Sequence, residues 1–189
     1  MRRALELFHT ARVDHFRGFE SYWEIPAGAE TAASGKWVPG PGSPFFQELR
    51  RDLGELPLVA EDLGVITSAV RELRRECGFP GMTVLQFALT DRSFSLEEVP
   101  RNSVIYTGTH DNDTTAGWIT SRGKELGYTS VDEVVQLALS SPAGLAVIPM
   151  QDIMGLDSRA RMNTPATSRG NWSFRLQDLP PPVSLERTG

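Results

Sequence analysis

Five short apolar runs alternate with amphipathic stretches along the chain. The runs cover residues 11–16, 56–60, 82–88, 103–107 and 145–150. Apart from the first, each run is almost continuously apolar, which is typical of strands that are buried on both faces of a parallel sheet. We therefore predict five strands at these positions.

Four helical patterns lie between the predicted strands. Their signals are a proline in the first turn, a Ser or Thr cap at the start, and a glycine after the last turn. The predicted helices cover residues 44–53, 67–76, 114–126 and 130–140, and Gly117 and Gly123 interrupt the third of them. This order predicts an α/β fold, built either as an open sheet or as a (β/α) barrel.

Residues 26–44 differ from the rest of the chain because they are rich in Gly, Pro, Ala and Ser. We predict a long loop here, and the Lys36-Trp37-Val38 sequence at its centre favours a functional loop. Residues 179–189 follow a run of prolines and are predicted to form a flexible tail. Residues 1–178 are then expected to form the domain itself.

The composition excludes several classes of protein. The chain has 189 residues, of which 40% are hydrophobic and 23% charged, as in an ordinary globular protein. A net charge of −5 argues against nucleic acid or an anionic membrane as the partner. No apolar run is long enough to span a membrane, and no signal peptide is evident. Cys77 is the only cysteine, so we expect a cytoplasmic protein without an internal disulfide.

Three acidic motifs lie at or just after predicted strands, at Asp14, Glu61 and Asp111. In a parallel barrel the carboxyl ends of the strands meet on one face, so we expect these carboxylates to converge. A retaining glycosidase needs one carboxylate as nucleophile and another as acid/base, about 5–5.5 Å apart. A third carboxylate can stabilise the positive charge of the transition state. The sequence therefore favours chemistry at a glycosidic bond.

Each carboxylate also has a purely structural interpretation. Asp14 can pair with a neighbouring arginine, either Arg12 or Arg17. Glu61 can cap the turn that follows it, and residues 111–113 can cap the next helix. The interpretation as an active site rests on the three motifs occurring together.

A metal site is the competing hypothesis for the same residues. Asp14, His15, His110 and Asp111 include both imidazole and carboxylate ligands. The chain has only three histidines, however, and lacks the HxH and HExxH patterns of metal hydrolases. His15 and His110 are more simply interpreted as donors to sugar hydroxyls or as structural histidines. No GxGxxG, P-loop or GxSxG motif supports nucleotide binding or serine-esterase chemistry.

Several longer motifs resemble one known family. They are ARVDHFRGFESYWEIPAG, SGKWVPGPG, LVAEDLGVIT, GMTVLQFA, YTGTHDNDT, IPMQDIMGLDSRARMNTP and GNWSFRL. Together they resemble glycoside hydrolase family 77, the 4-α-glucanotransferases or amylomaltases, from about residue 11 to residue 176. DHFRG, AEDLG and THDN in this order are specific to that family.

The resemblance implies a (β/α)8 TIM-barrel type fold and a retaining mechanism that needs no metal or cofactor. Asp14 matches the family's nucleophile, Glu61 its acid/base and Asp111 its transition-state stabiliser. The resemblance also implies substrate contacts at Arg12, His15, Trp37, Phe87, His110 and Asn163, with Arg12 holding the nucleophile. The implied partners are α-1,4-glucans such as maltodextrin, starch or glycogen, together with glucose.

The chain is shorter than the members of this family. It matches only the last five β/α units, strands 4 to 8 of the barrel, so we expect a piece of a longer enzyme that needs the amino-terminal half. Two alternatives stay open at this stage. One is a hydrolase of the α-amylase type, and the other is an inactive half-barrel that binds glucan.

Overall fold

The computed structural model describes residues 1–176. These residues form two compact units. The first combines Met1–Thr83, Val99–Val104 and Ala143–Leu145, and the second combines Val84–Glu98, Ile105–Pro142 and the described residues from Ala146 onward. One domain over residues 1–178 stays a prediction, and the predicted tail at 179–189 lies outside the described residues.

Strands and helices alternate, as the hydrophobic pattern predicts. The strands are β1 (Ala11–Val13), β2 (Ser21–Glu24), β3 (Lys36–Pro39), β4 (Leu58–Ala60), β5 (Gly81–Val84), β6 (Ser103–Tyr106) and β7 (Leu145–Val147). The helices are α1 (Arg2–Leu7), α2 (Gly42–Leu53), α3 (Ser68–Cys77), α4 (Leu85–Ala88), α5 (Thr115–Ser121), α6 (Val131–Ser140) and α7 (Met150–Ile153). All five predicted strands and all four predicted helices are present, so the α/β class is confirmed.

All five predicted strands are shorter than their apolar runs, and three of them end well before the run does. The first ends at Val13, and the third ends at Val84, where the chain turns into helix α4. The fifth ends at Val147, shortly before Pro149. An apolar run cannot by itself distinguish a strand from a buried helix, which explains the error in the third. Burial on both faces is also wrong for β7, whose Leu145 is exposed.

The predicted loop at residues 26–44 is wrong in its second half. Strands β2 and β3 form an antiparallel hairpin in which Trp23 lies opposite Trp37. Gly35 precedes β3, and a Cβ atom at this position would overlap the Trp23 indole. The glycine therefore permits the close packing that forms the hairpin. High Gly and Pro content hid the strand, because both residues are normally depleted in strands.

The first unit is organised around the parallel pair β1–β4, in which Val13 lies opposite Ala60. Its core is aromatic, since the buried rings of Phe16, Phe46 and Phe79 contact one another with centroids 5.1–6.1 Å apart. Cys77 is buried in the same core, and burial raises the pKa of its thiol. This core fixes the ends of β1 and β4, where two of the acidic motifs begin.

The predicted caps of α3 are confirmed. The hydroxyl of Thr67 accepts a hydrogen bond from the Val70 N–H at 3.4 Å. Gly78 ends the helix in the left-handed conformation, with φ of 72°. Only glycine adopts this conformation without steric cost, which is why the helix ends there.

In the second unit, the acidic cluster at residues 111–113 does not provide the cap of α5. The cap is Thr114, whose hydroxyl accepts from the Gly117 N–H at 3.1 Å. Asp113 instead accepts hydrogen bonds from the Thr114 N–H and the Ser158 hydroxyl, each at 2.8 Å. The capping interpretation of this cluster was therefore wrong, and Asp111 is free for another role. The remaining described strands of the chain, which are not confined to the second unit, form a three-stranded sheet in the order β5–β6–β7.

Candidate active site

Asp14 lies one residue beyond the end of β1 and pairs with Arg12. The Arg12 guanidinium donates to the Asp14 carboxylate, which is otherwise largely exposed to solvent. Arg17 does not take this role, because it donates to the carbonyl of Val65. The Asp14 carboxylate is thus held in one orientation by an arginine on its own strand.

Glu61 follows the last residue of β4, directly beside the end of β1. Its backbone N–H donates to the Val13 carbonyl at 2.9 Å, so the pairing continues one residue past the strand. Its carboxylate accepts two further bonds, from the His15 N–H at 2.7 Å and from the Leu63 N–H at 2.9 Å. Both carboxylate oxygens are therefore oriented by the main chain, and one donor belongs to the residue after Asp14.

His15 owes this contact to an unusual backbone conformation. Its φ and ψ of 49° and 53° place it in the left-handed region, which is uncommon for residues other than glycine. Such conformations occur often at active sites. The left-handed conformation of His15 turns the chain from β1 into the following 3-10 turn. It also directs the His15 N–H at Glu61.

Asp62, next to Glu61, has a structural role. Its carboxylate accepts from the Met82 N–H at 2.8 Å and lies 3.0 Å from Nε of Arg74, an ion pair without the alignment of a hydrogen bond. Gly81 leaves the space for this carboxylate, since a Cβ atom there would lie 2.6 Å from it. Of the two acids in the EDLG motif, Asp62 is therefore structural, and Glu61 stays the candidate for chemistry.

Trp37 presents an aromatic face on the β2–β3 hairpin. Its ring is about half exposed and packs edge-on against Trp23, with centroids 5.3 Å apart. The guanidinium of Arg17 lies 4.2 Å from the centre of the Trp37 ring, within cation–π distance. These contacts hold Trp37 in place while one part of it stays accessible.

The second unit carries Asp111 in a tight turn after β6. Asn112 stabilises this turn, since its side-chain oxygen accepts from the Thr109 N–H at 2.9 Å. The Asp111 carboxylate accepts from the Asn163 side chain at 2.6 Å and lies 3.4 Å from Nε2 of His110. Three predicted site residues, His110, Asp111 and Asn163, are therefore brought together.

Phe87 belongs to the second unit as well and is 55% exposed on α4. An open cleft of about 140 Å³ lies in this unit next to the turn that carries Asp111. Thr109, His110, Asn112, Arg161 and Met162 are among the residues that line it. The prediction that Asp111 converges with Asp14 and Glu61 stays a prediction.

Four residues that support the candidate site residues were not predicted from the sequence. Arg161 donates to the Asp111 carbonyl at 2.7 Å, and the Trp172 ring packs on His110 with centroids 5.3 Å apart. Arg17 holds Trp37, as described above. The buried Asp152 accepts three bonds, from the Thr115 N–H and from the hydroxyls of Thr107 and Thr115. Of these four residues, only Asp152 had a signal in the sequence, because it is an aspartate within the apolar stretch IPMQDIM.

Two further expectations from the sequence concern a metal site and a membrane-spanning segment. Within residues 1–176, no group of three or more His, Cys, Asp or Glu side chains is arranged to hold a metal ion. In the same part of the chain, no helix is long and apolar enough to cross a membrane.

Comparison with known proteins decides the family. The family model for 4-alpha-glucanotransferase, glycoside hydrolase family 77, matches residues 1–180. The chain belongs to this family. Among 4-alpha-glucanotransferases, that of Thermus thermophilus is 47% identical over 98% of this chain, and the chloroplastic/amyloplastic protein of Arabidopsis thaliana is 46% identical over 93%. The resemblance seen in the sequence is confirmed.

A solved structure of a 4-alpha-glucanotransferase supports the same assignment. An amylomaltase from Streptococcus agalactiae in complex with acarbose superposes with a TM-score of 0.85, at 31% identity and over 93% of this chain. The chain spans only part of these relatives: 41% of the Thermus protein, 33% of the Arabidopsis protein and 39% of the Streptococcus agalactiae structure. The cytoplasmic location stays a prediction, since one relative is named as chloroplastic.

Proposed function

We propose that this chain carries the catalytic carboxylates of a retaining 4-α-glucanotransferase, which moves α-1,4-glucan segments from one maltodextrin to another. The observation that carries the proposal is the pairing at the ends of β1 and β4. There the N–H of His15, the residue after Asp14, donates to the carboxylate of Glu61 at 2.7 Å. A nucleophile and an acid/base of a retaining enzyme must act on the same bond and so lie close together, and this hydrogen bond holds the two segments next to each other.

In the first step, Asp14 attacks the anomeric carbon of the donor glucan. Glu61 gives its proton to the glycosidic oxygen, which leaves as the 4-hydroxyl of the released glucan. Arg12 orients the attacking carboxylate through the ion pair on β1. The product of this step is a glycosyl ester on Asp14.

In the second step, an acceptor glucan takes the place of the released part. Glu61, now a carboxylate, removes the proton from the 4-hydroxyl of the acceptor, whose oxygen attacks the anomeric carbon and frees Asp14. Transfer rather than hydrolysis requires that water be kept away from the ester. Asp111 stabilises the positive charge that develops on the sugar ring in both transition states.

Six further residues complete the proposed site. His110 binds the hydroxyls of the reacting sugar, and Trp37 and Phe87 offer exposed rings to sugar faces. His15 and Asn163 are further substrate contacts, and Arg12 orients Asp14. The finding that Trp37 and Phe87 are each more than half exposed supports their assignment, because core aromatics would be covered.

The finer predictions on fold and setting belong to the same proposal. We assign the five predicted strands to strands 4 to 8 of a (β/α)8 barrel, whose remaining strands a longer protein supplies. The partners are maltodextrin, starch or glycogen-type α-1,4-glucans and glucose, and the setting is cytoplasmic. The acarbose complex of the Streptococcus agalactiae amylomaltase supports a sugar-type ligand.

The proposal is tested by incubating the purified chain with maltotriose, alone and together with the separately supplied amino-terminal part of a relative. Chromatography should show glucose and maltopentaose, the products of transferring a maltosyl unit. A hydrolase would give only shorter sugars. An inactive glucan-binding chain would give no products in either mixture, and the same lack of turnover in the D14N variant would then overturn the proposal.

A further inference from the structure

The loop at residues 161–172 contacts both His110 and Asp111, although the loop begins about fifty residues after them in the sequence. Arg161, Asn163 and Trp172 make these contacts. The side chains of His110 and Asp111 are 41% and 46% exposed, so dense packing does not fix their rotamers. Their orientation must therefore come from specific contacts.

Arg161 joins the loop to the Asp111 turn by donating to one backbone carbonyl in each. One guanidinium nitrogen donates to the Asp111 carbonyl at 2.7 Å, and Nε donates to the Asn163 carbonyl at 2.8 Å. The planar guanidinium can make both bonds at once because its N–H groups diverge in a fixed geometry. Arg161 is therefore one of the links that set the distance between the Asp111 turn and residue 163.

Asn163 then acts at short range on the same turn. Its backbone N–H donates to the His110 carbonyl at 3.1 Å, and its side-chain amide donates to the Asp111 carboxylate at 2.6 Å. The carboxylate is oriented only while residue 163 stays in position. Arg161 holds residue 163 from its carbonyl side, and the bond to the His110 carbonyl holds its N–H.

Trp172 restrains the neighbouring histidine. Its ring lies 5.3 Å from the His110 ring at an interplanar angle of 36°. The backbone of Trp172 is in the left-handed region, with φ of 60°, and its N–H donates to the Met162 carbonyl at 2.7 Å. A bulky residue adopts this conformation only where its surroundings impose it.

Asn171 closes the loop that carries Trp172. Its side-chain oxygen accepts from the Thr164 N–H at 2.9 Å, and its amide donates to the Thr167 carbonyl at 3.0 Å. Arg175 donates to the Trp172 carbonyl at 3.0 Å from the other side. The loop is therefore braced by its own hydrogen bonds and by Arg175.

We infer that Arg161 and Trp172 are positioning residues for the reaction, Arg161 for Asp111 and Trp172 for the ring of His110. The inference rests on the proposed function, since it concerns the same site. Neither residue reacts. Arg161 acts through the Asp111 turn and Asn163, and Trp172 acts by restricting the imidazole to one orientation.

The test uses the full chain, with the amino-terminal part of a relative added for the kinetic measurements, and compares R161A, R161K, W172L and W172F with the unchanged protein. R159A is the matched control, because Arg159 is two residues away and pairs only with Asp157 in the described contacts. The first readout is the NMR signal of the His110 ring, assigned with H110Q. The second is the kcat and KM of maltotriose transfer.

Positioning predicts that R161A and W172L lower kcat by roughly 10- to 100-fold, because small misplacements of reacting groups cost this much. Any rise in KM should be smaller than the fall in kcat, since groups that act mainly in the transition state affect kcat first. R161K and W172F should recover part of the loss, and R159A should have no effect. The His110 ring signals should move in W172L as the ring current of the indole disappears.

Three results would overturn the inference. One is an unchanged kcat in both R161A and W172L. Another is a rise in KM at constant kcat, which would show that Arg161 and Trp172 affect substrate binding and not the positioning of reacting groups. The third is a His110 signal that W172L and W172F leave in place. If the unchanged protein shows no transfer, the proposed function fails. The NMR signals of the His110 ring in W172L then still test whether Trp172 holds that ring.

Discussion

The carboxylates of Glu61 and Asp111 are held in different ways. Glu61 accepts two backbone N–H groups, from His15 and Leu63, within a few residues of the ends of two paired strands. Asp111 depends on the side chain of Asn163, which reaches it from a distant loop. The first carboxylate is thus oriented by the course of the chain, and the second by one amide.

This contrast bears on how each region tolerates substitution. A backbone donor survives the exchange of its own side chain, whereas a side-chain donor does not. The region around Glu61 should therefore accept changes at its neighbours, while the region around Asp111 should be sensitive to changes far away in sequence. Each region also contains a largely buried structural carboxylate, Asp62 in the first and Asp152 in the second.

The largest expected effect follows from changing Glu61 itself. In the proposed mechanism, E61Q removes the proton that the leaving oxygen needs, and we expect the transfer rate to fall about 10²- to 10⁴-fold. The fold should persist, because the amide oxygen can still accept a backbone N–H. Chromatography of the maltotriose products measures the rate, and circular dichroism checks the fold. D52N, at an exposed aspartate on α2, is the control that should behave like the parent.

The second expected effect concerns stability. Asp152 is 3% exposed and accepts three hydrogen bonds from Thr107 and Thr115. In D152N the new amide hydrogens face these donors, so the free energy of unfolding should fall by about 2–4 kcal/mol. Urea unfolding measures the change, with D132N at an exposed helical aspartate as the control. Equal stability of D152N and D132N would show that Asp152 is not a structural centre.

The third prediction compares the two regions directly. N163A removes the amide that orients Asp111, and kcat for transfer should fall by roughly 10- to 100-fold. L63A leaves the N–H that orients Glu61, and its kcat should stay within about two-fold of the parent. Steady-state kinetics on maltotriose measures both. If L63A loses as much kcat as N163A, the proposed difference between the regions is wrong.

The smallest expected effect falls on the structural carboxylate of the first region. D62N weakens the ion pair with Arg74 and the bond to the Met82 N–H, both of them largely buried. We expect about 1–3 kcal/mol less stability, with kcat for transfer nearly unchanged. Urea unfolding and product analysis, run side by side with E61Q, should give opposite results for these neighbouring acids. A kcat loss in D62N matching that of E61Q would contradict the assignment.

The sequence predicted the elements that depend on local signals. The caps Thr67 and Gly78 and the alternation of strands and helices follow from short patterns and are confirmed. The β2–β3 hairpin was missed because its stability comes from the packing of Trp23 against Trp37 across the strands. No single segment contains that information.

The candidate site shows the same difference between residues marked by local motifs and residues that act through long-range contacts. Glu61 and Asp14 were predicted as site residues because EDLG follows one predicted strand and DHFRG begins late in another. Arg161 and Trp172 were not found, because their importance lies in contacts with residues fifty to sixty positions away. A sequence motif shows that a residue type is present, whereas its hydrogen-bond partner has to be read from the fold.

The most direct test of the central claim is to trap the ester on Asp14. The chain, completed with the amino-terminal part of a relative, is treated with a 5-fluoro-α-glucosyl fluoride, from which a carboxylate displaces fluoride. Mass spectrometry of the digested protein should then find a fluoroglucosyl group on the peptide that contains Asp14, and none in D14N. A folded protein with no such group, or with the group on Glu61 or Asp111, would contradict the account.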